Sequence, residues 1–242
     1  MTGLAGMEYA RLSQAVTDGR SSTVFPPWAL GVLREVAEGR PPVRGTVHPL
    51  GFTCLPILRD GGYGVCVHIW SPLLPREQPT TSAVHAHSWH LTSYVLYGQL
   101  HNEHMVLREA GSGERPAYRM LEVRSSGGVD ELCPTERVVR CARVRRVPLR
   151  DGDVYAIPPG TFHATAVGRD AEAATVVLGR MVAGAADLSL GALDARRHLV
   201  RRRTCDSAET AAAAALAIDR LTRRRRGRPP RRPGPRRPGR PR

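Results

Sequence analysis

Three histidines in two separate segments are the residues best suited to chemistry. His85 and His87 are separated by one residue in a run that is typical of a β-strand. Because residues i and i+2 of a strand point to the same face, the two imidazoles project together and form half of a metal site. The third histidine, His163, opens a further predicted strand directly after a Pro-Pro-Gly turn. If this strand pairs beside the first in a closed barrel, the three imidazoles can bind one metal ion.

The two segments resemble the paired motifs of the cupin superfamily. The first keeps the His-x-His pair and the later Gly98, whereas Pro79 stands at the usual opening glycine and Leu91 at the usual glutamate ligand. The second matches the spacing Gly-x5-Pro-x-Gly-x2-His in full, with Gly152, Pro158, Gly160 and His163. The resemblance covers about residues 47–182. It implies an all-β fold, the cupin-type double-stranded β-helix or jelly-roll barrel.

The leucine at position 91 changes the chemistry that this resemblance implies. Three neutral imidazoles would hold the metal and leave positions open for water, substrate or dioxygen. Such a site is similar to that of thiol dioxygenases, cupins that use iron(II) to add dioxygen to a sulfur substrate. Leu91 also replaces the cysteine that some of them crosslink to a tyrosine, and no Ser-x-His-x-Tyr pattern follows His163. The first functional prediction is a mononuclear non-haem iron dioxygenase acting on a small molecule, with Fe²⁺ as the metal; imidazole also suits Zn²⁺, Ni²⁺ or Cu²⁺.

Two other functions remain open at this point. In a zinc-dependent isomerase or lyase, the metal would polarise a carbonyl while a catalytic tyrosine, Tyr97 or Tyr155, moves a proton. In a ligand-sensing cupin without catalysis, the basic C-terminal tail would bind DNA.

A substrate pocket is expected beside the metal, lined by inward residues of the same strands. Its candidates are three aromatic side chains and one arginine that could anchor a carboxylate: Trp70, Trp89, Phe162 and Arg59. Two further histidines, His101 and His104, could line the barrel mouth, and His68 could approach the metal from a neighbouring strand. His90 should point outward if its strand is straight.

The elements that must position these residues form one main domain with extensions. Residues 1–46 are predicted to be a loose arm followed by a short helix that starts at Pro26-Pro27. Short β-rich runs fill residues 47–182, which are predicted to form the barrel. Residues 183–221 should form a C-terminal extension ending in a helix over Ser207–Leu221, because Asp206 and Glu209 make a capping box.

The charge lies mostly in a C-terminal tail. Residues 222–242 hold eleven arginines and no acidic residue, so only +3 of the formal net charge of +14 belongs to residues 1–221. A segment built of Arg, Pro and Gly is predicted to be disordered and to bind nucleic acid nonspecifically. Within it, Arg226–Pro229 resembles the core of an AT-hook.

Several classes of protein are disfavoured by the composition. The five cysteines contain no CxxC pair, which predicts neither a disulfide framework nor a cysteine zinc site. No apolar run is long enough for a membrane helix and no signal-peptide pattern is present, so the expected location is the cytoplasm. The resemblance to cupins implies pairing of barrels, so a homodimer is expected.

Overall fold

Three helices and thirteen strands make up the part of the chain described by the computed structural model, which covers residues 4–40, 42–111, 113, 115 and 117–227. The helices are α1 Leu4–Thr17, α2 Ser21–Ala37 and α3 Ser207–Gly227. The strands are β1 Thr46–His48, β2 Phe52–Asp60, β3 Tyr63–Trp70, β4 His85–Ala86, β5 Trp89–Glu109, β6 Tyr118–Ser126, β7 Val129–Arg150, β8 Val154–Ile157, β9 His163–Ala166, β10 Ala173–Met181, β11 Asp187–Gly191, β12 His198–Arg201 and β13 Arg203–Thr204.

These strands form two antiparallel sheets that share the long strand β5. The first half of β5 pairs with β8 and β10, and the sheet continues through β3, β2 and β1 to β13. The second half pairs with β7 and β9, in a sheet that also contains β4, β11, β6 and β12. The all-β, jelly-roll prediction is therefore confirmed.

The first sheet buries both of its faces because helices cover its outside. Side chains from α2 and α3 pack on it, among them Phe25, whose ring stacks on Tyr94 at a centroid distance of 4.7 Å. We call this packed layer the helix-facing cluster; its buried strand residues include Leu55, Val67, Leu96, Val176 and Leu178. The alternate positions of the same strands face the barrel interior, as the period of two requires.

The N-terminal segment differs from the prediction of a loose arm. Residues 4–17 form α1, in which Leu12 and Ala15 are buried in the helix-facing cluster. Pro26 and Pro27 lie inside α2 rather than at its start. The sequence does not indicate α1, because the apolar stripe of this helix is narrow. It also does not indicate that α2 continues through two prolines, because that depends on the burial of Phe25 in the folded protein.

The C-terminal extension is part of the barrel rather than an appendage. Strands β11, β12 and β13 lie in it and pair with β4 and β6, with β7, and with β1. The helix α3 begins at the predicted Ser207, and the capping box is confirmed. The Asp206 carboxylate accepts from the Glu209 backbone N–H at 2.8 Å, and the Glu209 carboxylate accepts from the Asp206 backbone N–H at 3.1 Å.

The helix α3 continues beyond its predicted end at Leu221, so residues 222–227, predicted to be disordered, are helical. Residues 228–242, with the rest of the tail and the second half of the AT-hook match, lie outside the described residues. Residues 125–135 lie in a hairpin of β6 and β7, turned by Gly127 and Gly128, which both have positive φ. No helix in the described ranges is both long and apolar enough to cross a membrane.

Several ion pairs fasten α3 to the barrel, and the least exposed of them involve Arg220 and Arg224. Arg220 donates two hydrogen bonds to the carboxylate of Glu172, which also accepts from the Ser71 hydroxyl at 2.8 Å. The hydrogen bonds from Arg220 are the main cause of the lowered pKa of Glu172. This pair links α3 to the residue that directly precedes β10.

Replacing Glu172 by Gln should destabilise the protein by about 1 kcal/mol at pH 7, because one charge-assisted contact is lost. A carboxyl with a lowered pKa contributes stability above its unfolded pKa and loses it as the pH falls through the folded pKa. The difference between variant and wild type in urea unfolding should therefore vanish in strong acid. Glu109→Gln, which breaks the exposed pair with Arg137, is the control; an equal loss there would contradict a special role for Glu172.

Candidate metal centre

The strands β4 and β9 bring the three predicted histidines together. His85 and His163 are direct partners in the antiparallel register, and His87 follows immediately after β4. The Nε2 atoms of His85 and His87 are 3.0 Å apart. One ring nitrogen from each of the three histidines lies within 4.8 Å of those of the other two.

Hydrogen bonds at the far side of two rings decide which nitrogen faces the centre. The His85 Nδ1–H donates to the carbonyl oxygen of Ala83 at 2.9 Å, and the His163 Nδ1–H donates to the side-chain oxygen of Asn102 at 3.0 Å. Because these acceptors fix the Nδ1–H tautomer, each Nε2 presents a lone pair. The buried Nε2 of His163 has no hydrogen-bond partner among the described residues.

Burial keeps the three imidazoles neutral. Desolvation by burial is the main reason that the pKa values of His85 and His87 are lowered. The same cause lowers the pKa of His163 to about 2. Neutral imidazole is the form that binds metals. Two ligands at about 2.1 Å from one ion and at a right angle lie about 3 Å apart, as the Nε2 atoms of His85 and His87 do. The donor set therefore fits a metal ion.

The two sequence motifs meet at this centre. The backbone N–H of Gly160, in the turn of the second motif, donates to the carbonyl of His87 in the first at 2.9 Å. Both motifs lie on adjacent strands of a jelly-roll barrel, with their histidines directed into its interior. The chain has the cupin fold.

The similarities of this chain to known proteins lie at the level of solved structures. No protein-family model and no curated protein matches the sequence. Among solved structures, the chain is similar to hydroquinone 1,2-dioxygenase from Sphingomonas sp. TTNP3 with 4-hydroxybenzoate bound, at 13% identity and a TM-score of 0.29, over 53% of this chain and 65% of that one, just under two thirds of its length. It is also similar to a protein of unknown function with a cupin-like fold from Ralstonia eutropha JMP134, at 15% identity and a TM-score of 0.30, over 76% and 82% of the two chains. Neither similarity carries information about the reaction.

Two cavities adjoin the histidines of this cupin barrel. The inner cavity, of about 100 Å³, touches all three and is walled by side chains that include Phe52, Trp70, Ser93 and Tyr155. The outer cavity, of about 120 Å³, contains the Arg202–Asp130 ion pair. His85 and His87 line both, together with His48 and Leu50. The two cavities therefore adjoin each other at His85 and His87.

Two predicted site residues lie at the inner cavity. Trp70 is buried in its wall, and Tyr155 lies opposite Ser93 in the register of β5 and β8. Burial raises the pKa of Tyr155, against a smaller lowering by its hydrogen bond with Ser93. Tyr155 therefore stays protonated and can act as a hydrogen-bond donor at neutral pH.

Tyr97 lies elsewhere, because β5 contains a bulge. The register with β10 shifts between Val95 and Tyr97, so Leu96 and Tyr97 both point into the helix-facing cluster. Strict alternation would have turned Tyr97 inward with Ser93 and Val95. Burial, followed by the charge of Glu172, raises its pKa, and its hydroxyl has no partner in the described structure.

The other three predicted pocket residues do not line either cavity. Phe162 packs beside Met120 and Leu190 in the second sheet. Trp89 points toward Gly179, next to Leu91. Arg59 is turned to the interior face by a bulge in β2 between Pro56 and Leu58, but it lies beside Cys54 and Cys66 rather than at the histidines. His90 is exposed, as predicted.

Sequence reasoning missed several residues around the centre. Asn102, which orients His163, is fully enclosed on β5, and nothing in its local pattern marks it. The ring of Phe52 stacks on His48 at 4.4 Å and also lies 4.4 Å from the ring of His68. The alternation of β2 could have placed Phe52 inside, but its partner His48, at the end of the short strand β1, gives no such signal.

Proposed function

We propose that this protein is a mononuclear metal-dependent cupin, and specifically a non-haem iron(II) dioxygenase that acts on a small molecule. One observation carries the proposal: three neutral imidazoles converge on an inner cavity, and the buried Nε2 of His163 has no partner among the described residues. Such a face leaves room for other ligands. Bound iron(II) would supply the chemistry that activates dioxygen.

The residues around the inner cavity suit a small substrate. Phe52 and Trp70 form an apolar wall that excludes water, and an ordered substrate there would be held close to its co-reactant. The Tyr155 hydroxyl can hold a proton at the substrate, because its pKa is raised. Since the three histidines carry no charge, a thiolate or carboxylate group on the substrate would balance the charge of the metal.

The outer cavity holds a rigid ion pair. The Nε and Nη2 of Arg202 each donate to the carboxylate of Asp130 at 2.7 Å, and Nη2 also donates to the Ser125 hydroxyl at 3.0 Å. Because Asp130 offsets the charge of the guanidinium, the pair offers a polar wall of little net charge to a small molecule in this cavity.

The test is iron reconstitution followed by measurement of oxygen uptake. The full chain is loaded anaerobically with Fe²⁺, freed of excess metal, and mixed with air-saturated buffer and a panel of small thiols and small acids. Stoichiometric iron with substrate-dependent oxygen consumption is the expected result. The opposite outcome is that the protein binds iron without consuming oxygen for any compound, and converts a carbonyl substrate with zinc instead. That result would contradict the oxygenase and support the isomerase or lyase hypothesis. The position of Tyr155 at the inner cavity suits that hypothesis as well.

The role of Asn102 gives a further prediction. Replacing it by Ala should weaken iron binding by roughly 10–100-fold, because His163 loses the acceptor that fixes its tautomer and ring orientation. Asn102→Asp keeps an acceptor oxygen and should restore most of the affinity. Competition with a chelator measures both; an unchanged affinity in Asn102→Ala would show that His163 needs no orienting partner.

Two kinds of partner are also part of the proposal. Pairing of barrels into a homodimer is checked by light scattering of the full chain. Nonspecific contact of the arginine-rich tail with nucleic acid is checked by the salt dependence of binding to a duplex of mixed sequence, which should be steep because several phosphates are neutralised.

A further inference from the structure

A second group of potential metal ligands lies on the interior face of β2 and β3. It consists of Cys54, Cys66 and His68 and shares no residue with the three-histidine centre. Cys54 is the direct cross-strand partner of His68, and Cys66 is two positions before His68 on the same face. The two sulfur atoms and one imidazole nitrogen all lie within 4.8 Å of one another. We call these residues the Cys-His cluster.

The cluster is enclosed but can be reached. Cys54 is 6% exposed and packs with Phe52 and Trp70 inside the barrel. Cys66 and His68 are half-buried, and His68 lines the inner cavity. An ion that enters the barrel therefore has a path to the cluster, and the low polarity around it strengthens binding to a charged sulfur.

We propose that Cys54, Cys66 and His68 form a second metal site, which takes a thiophilic ion such as Zn²⁺ or Cu⁺. Two sulfurs and one nitrogen make a soft donor set, whereas the three-histidine centre offers only imidazole; soft ligands select zinc and copper(I) over the harder ions. A Cys₂His set is one that zinc adopts with a fourth position left for another ligand.

Arg59 supplies the outer partner that such a site needs. The bulge in β2 turns it to the same face, and its guanidinium lies beside both sulfur atoms. Two thiolates carry two negative charges, so a bound Cu⁺ leaves one of them uncompensated. The adjacent guanidinium offsets that charge and lowers the basicity of the sulfur atoms. The strand positions of all four residues are fixed by the ladder between β2 and β3.

The two sites differ in one measurable property, which is sulfur ligation. Titration of the metal-free, reduced full chain with Co²⁺ alone should show two equivalents bound, and one of them should give the intense near-ultraviolet absorption of cobalt bound to thiolate. The double change Cys54→Ser with Cys66→Ser should remove this absorption and one equivalent. The double change His85→Ala with His87→Ala should leave the absorption intact and remove the other equivalent.

Cys141→Ser is the matched control, since Cys141 is a half-buried cysteine on β7 in the second sheet. It should bind both equivalents. A second measurement needs no variant: Zn²⁺ should protect Cys54 and Cys66, and none of the other three cysteines, from alkylation, as mapped on peptides. Absence of the cobalt–thiolate absorption in fully reduced protein, or its survival in a folded Cys54/Cys66 variant, overturns the second site.

Oxidation is a separate outcome of the same experiment. If Cys54 and Cys66 form a disulfide in metal-free protein, and if Zn²⁺ neither prevents this nor protects the thiols, the cluster is a redox pair and the proposal of a metal site fails. Neither result bears on iron binding at the three histidines. That site is measured separately, by the equivalent of Co²⁺ that binds without giving cobalt–thiolate absorption.

Discussion

His163→Ala should abolish iron binding at the three-histidine centre, with a loss of affinity of more than about 100-fold. His163 is the only one of the three on β9, and it is joined to β5 through Asn102. Its removal leaves two neighbouring ligands from a single segment, His85 and His87, which are too few to hold the ion. Iron content after anaerobic reconstitution, measured by plasma mass spectrometry on the full chain, reads the effect directly.

His90→Ala is the control for this prediction. His90 lies close to His87 in sequence, but its side chain is exposed and forms no part of either cavity. Iron content should equal that of the wild type. If His163→Ala keeps stoichiometric iron while remaining folded, the ion is bound elsewhere and the three-histidine centre is the wrong site.

The grouping of the three histidines could be anticipated because its signals are local. His85 and His87 are two residues apart on a strand, and His163 closes a motif whose glycine and proline residues dictate a turn. The partner of His163 could not be anticipated. Asn102 orients His163 only because β5 and β9 pair in one register, and that register depends on contacts far apart in the sequence.

The position of Tyr97 was predicted wrongly because of a bulge. Each β-bulge adds a residue and reverses the alternation beyond it. The bulge in β5 moves Tyr97 out of the interior and into the helix-facing cluster. Periodicity alone cannot locate a bulge, because the extra residue gives no signal of its own in a strand of ordinary composition.

The helices also differ in how far the sequence alone predicts them. α3 was predictable at its start, since Asp206 and Glu209 satisfy each other's backbone N–H groups. The helix α1 was not, because most of its stability comes from packing against the sheet rather than from its own sequence. Packing of Phe25 on Tyr94 likewise stabilises α2, although this helix contains two prolines.

The interior is unusual in combining both kinds of ligand. Phe52 separates His48 from His68, so aromatic rings stand between the outer cavity and the Cys-His cluster. The two proposed sites thus lie in one barrel and share no residue. Spacing along the chain does not reveal this cluster, because Cys54 and Cys66 are brought together by the hairpin of β2 and β3.

Gly98→Ala should prevent or severely impair folding, with a loss of at least about 3 kcal/mol. Gly98 has φ of +81°, and an added Cβ would lie 2.0 Å from the backbone oxygen of Glu172 and 2.8 Å from the Cα of Ala173. Both contacts are with backbone of β10 or the residue just before it, so neither can move aside without opening the pairing of β5 and β10.

The control for Gly98→Ala separates the close contact from the cost of the left-handed backbone. Gly152 has a similar φ of +91°, but an added Cβ there meets nothing within 4 Å. Gly152→Ala should therefore cost only about 1–2 kcal/mol, from the backbone conformation alone. Urea unfolding of both variants measures the difference, and equal losses would show that β10 adjusts to the methyl group. A larger loss at Gly98 means that this glycine of the first motif is required because β5 and β10 approach too closely for any side chain.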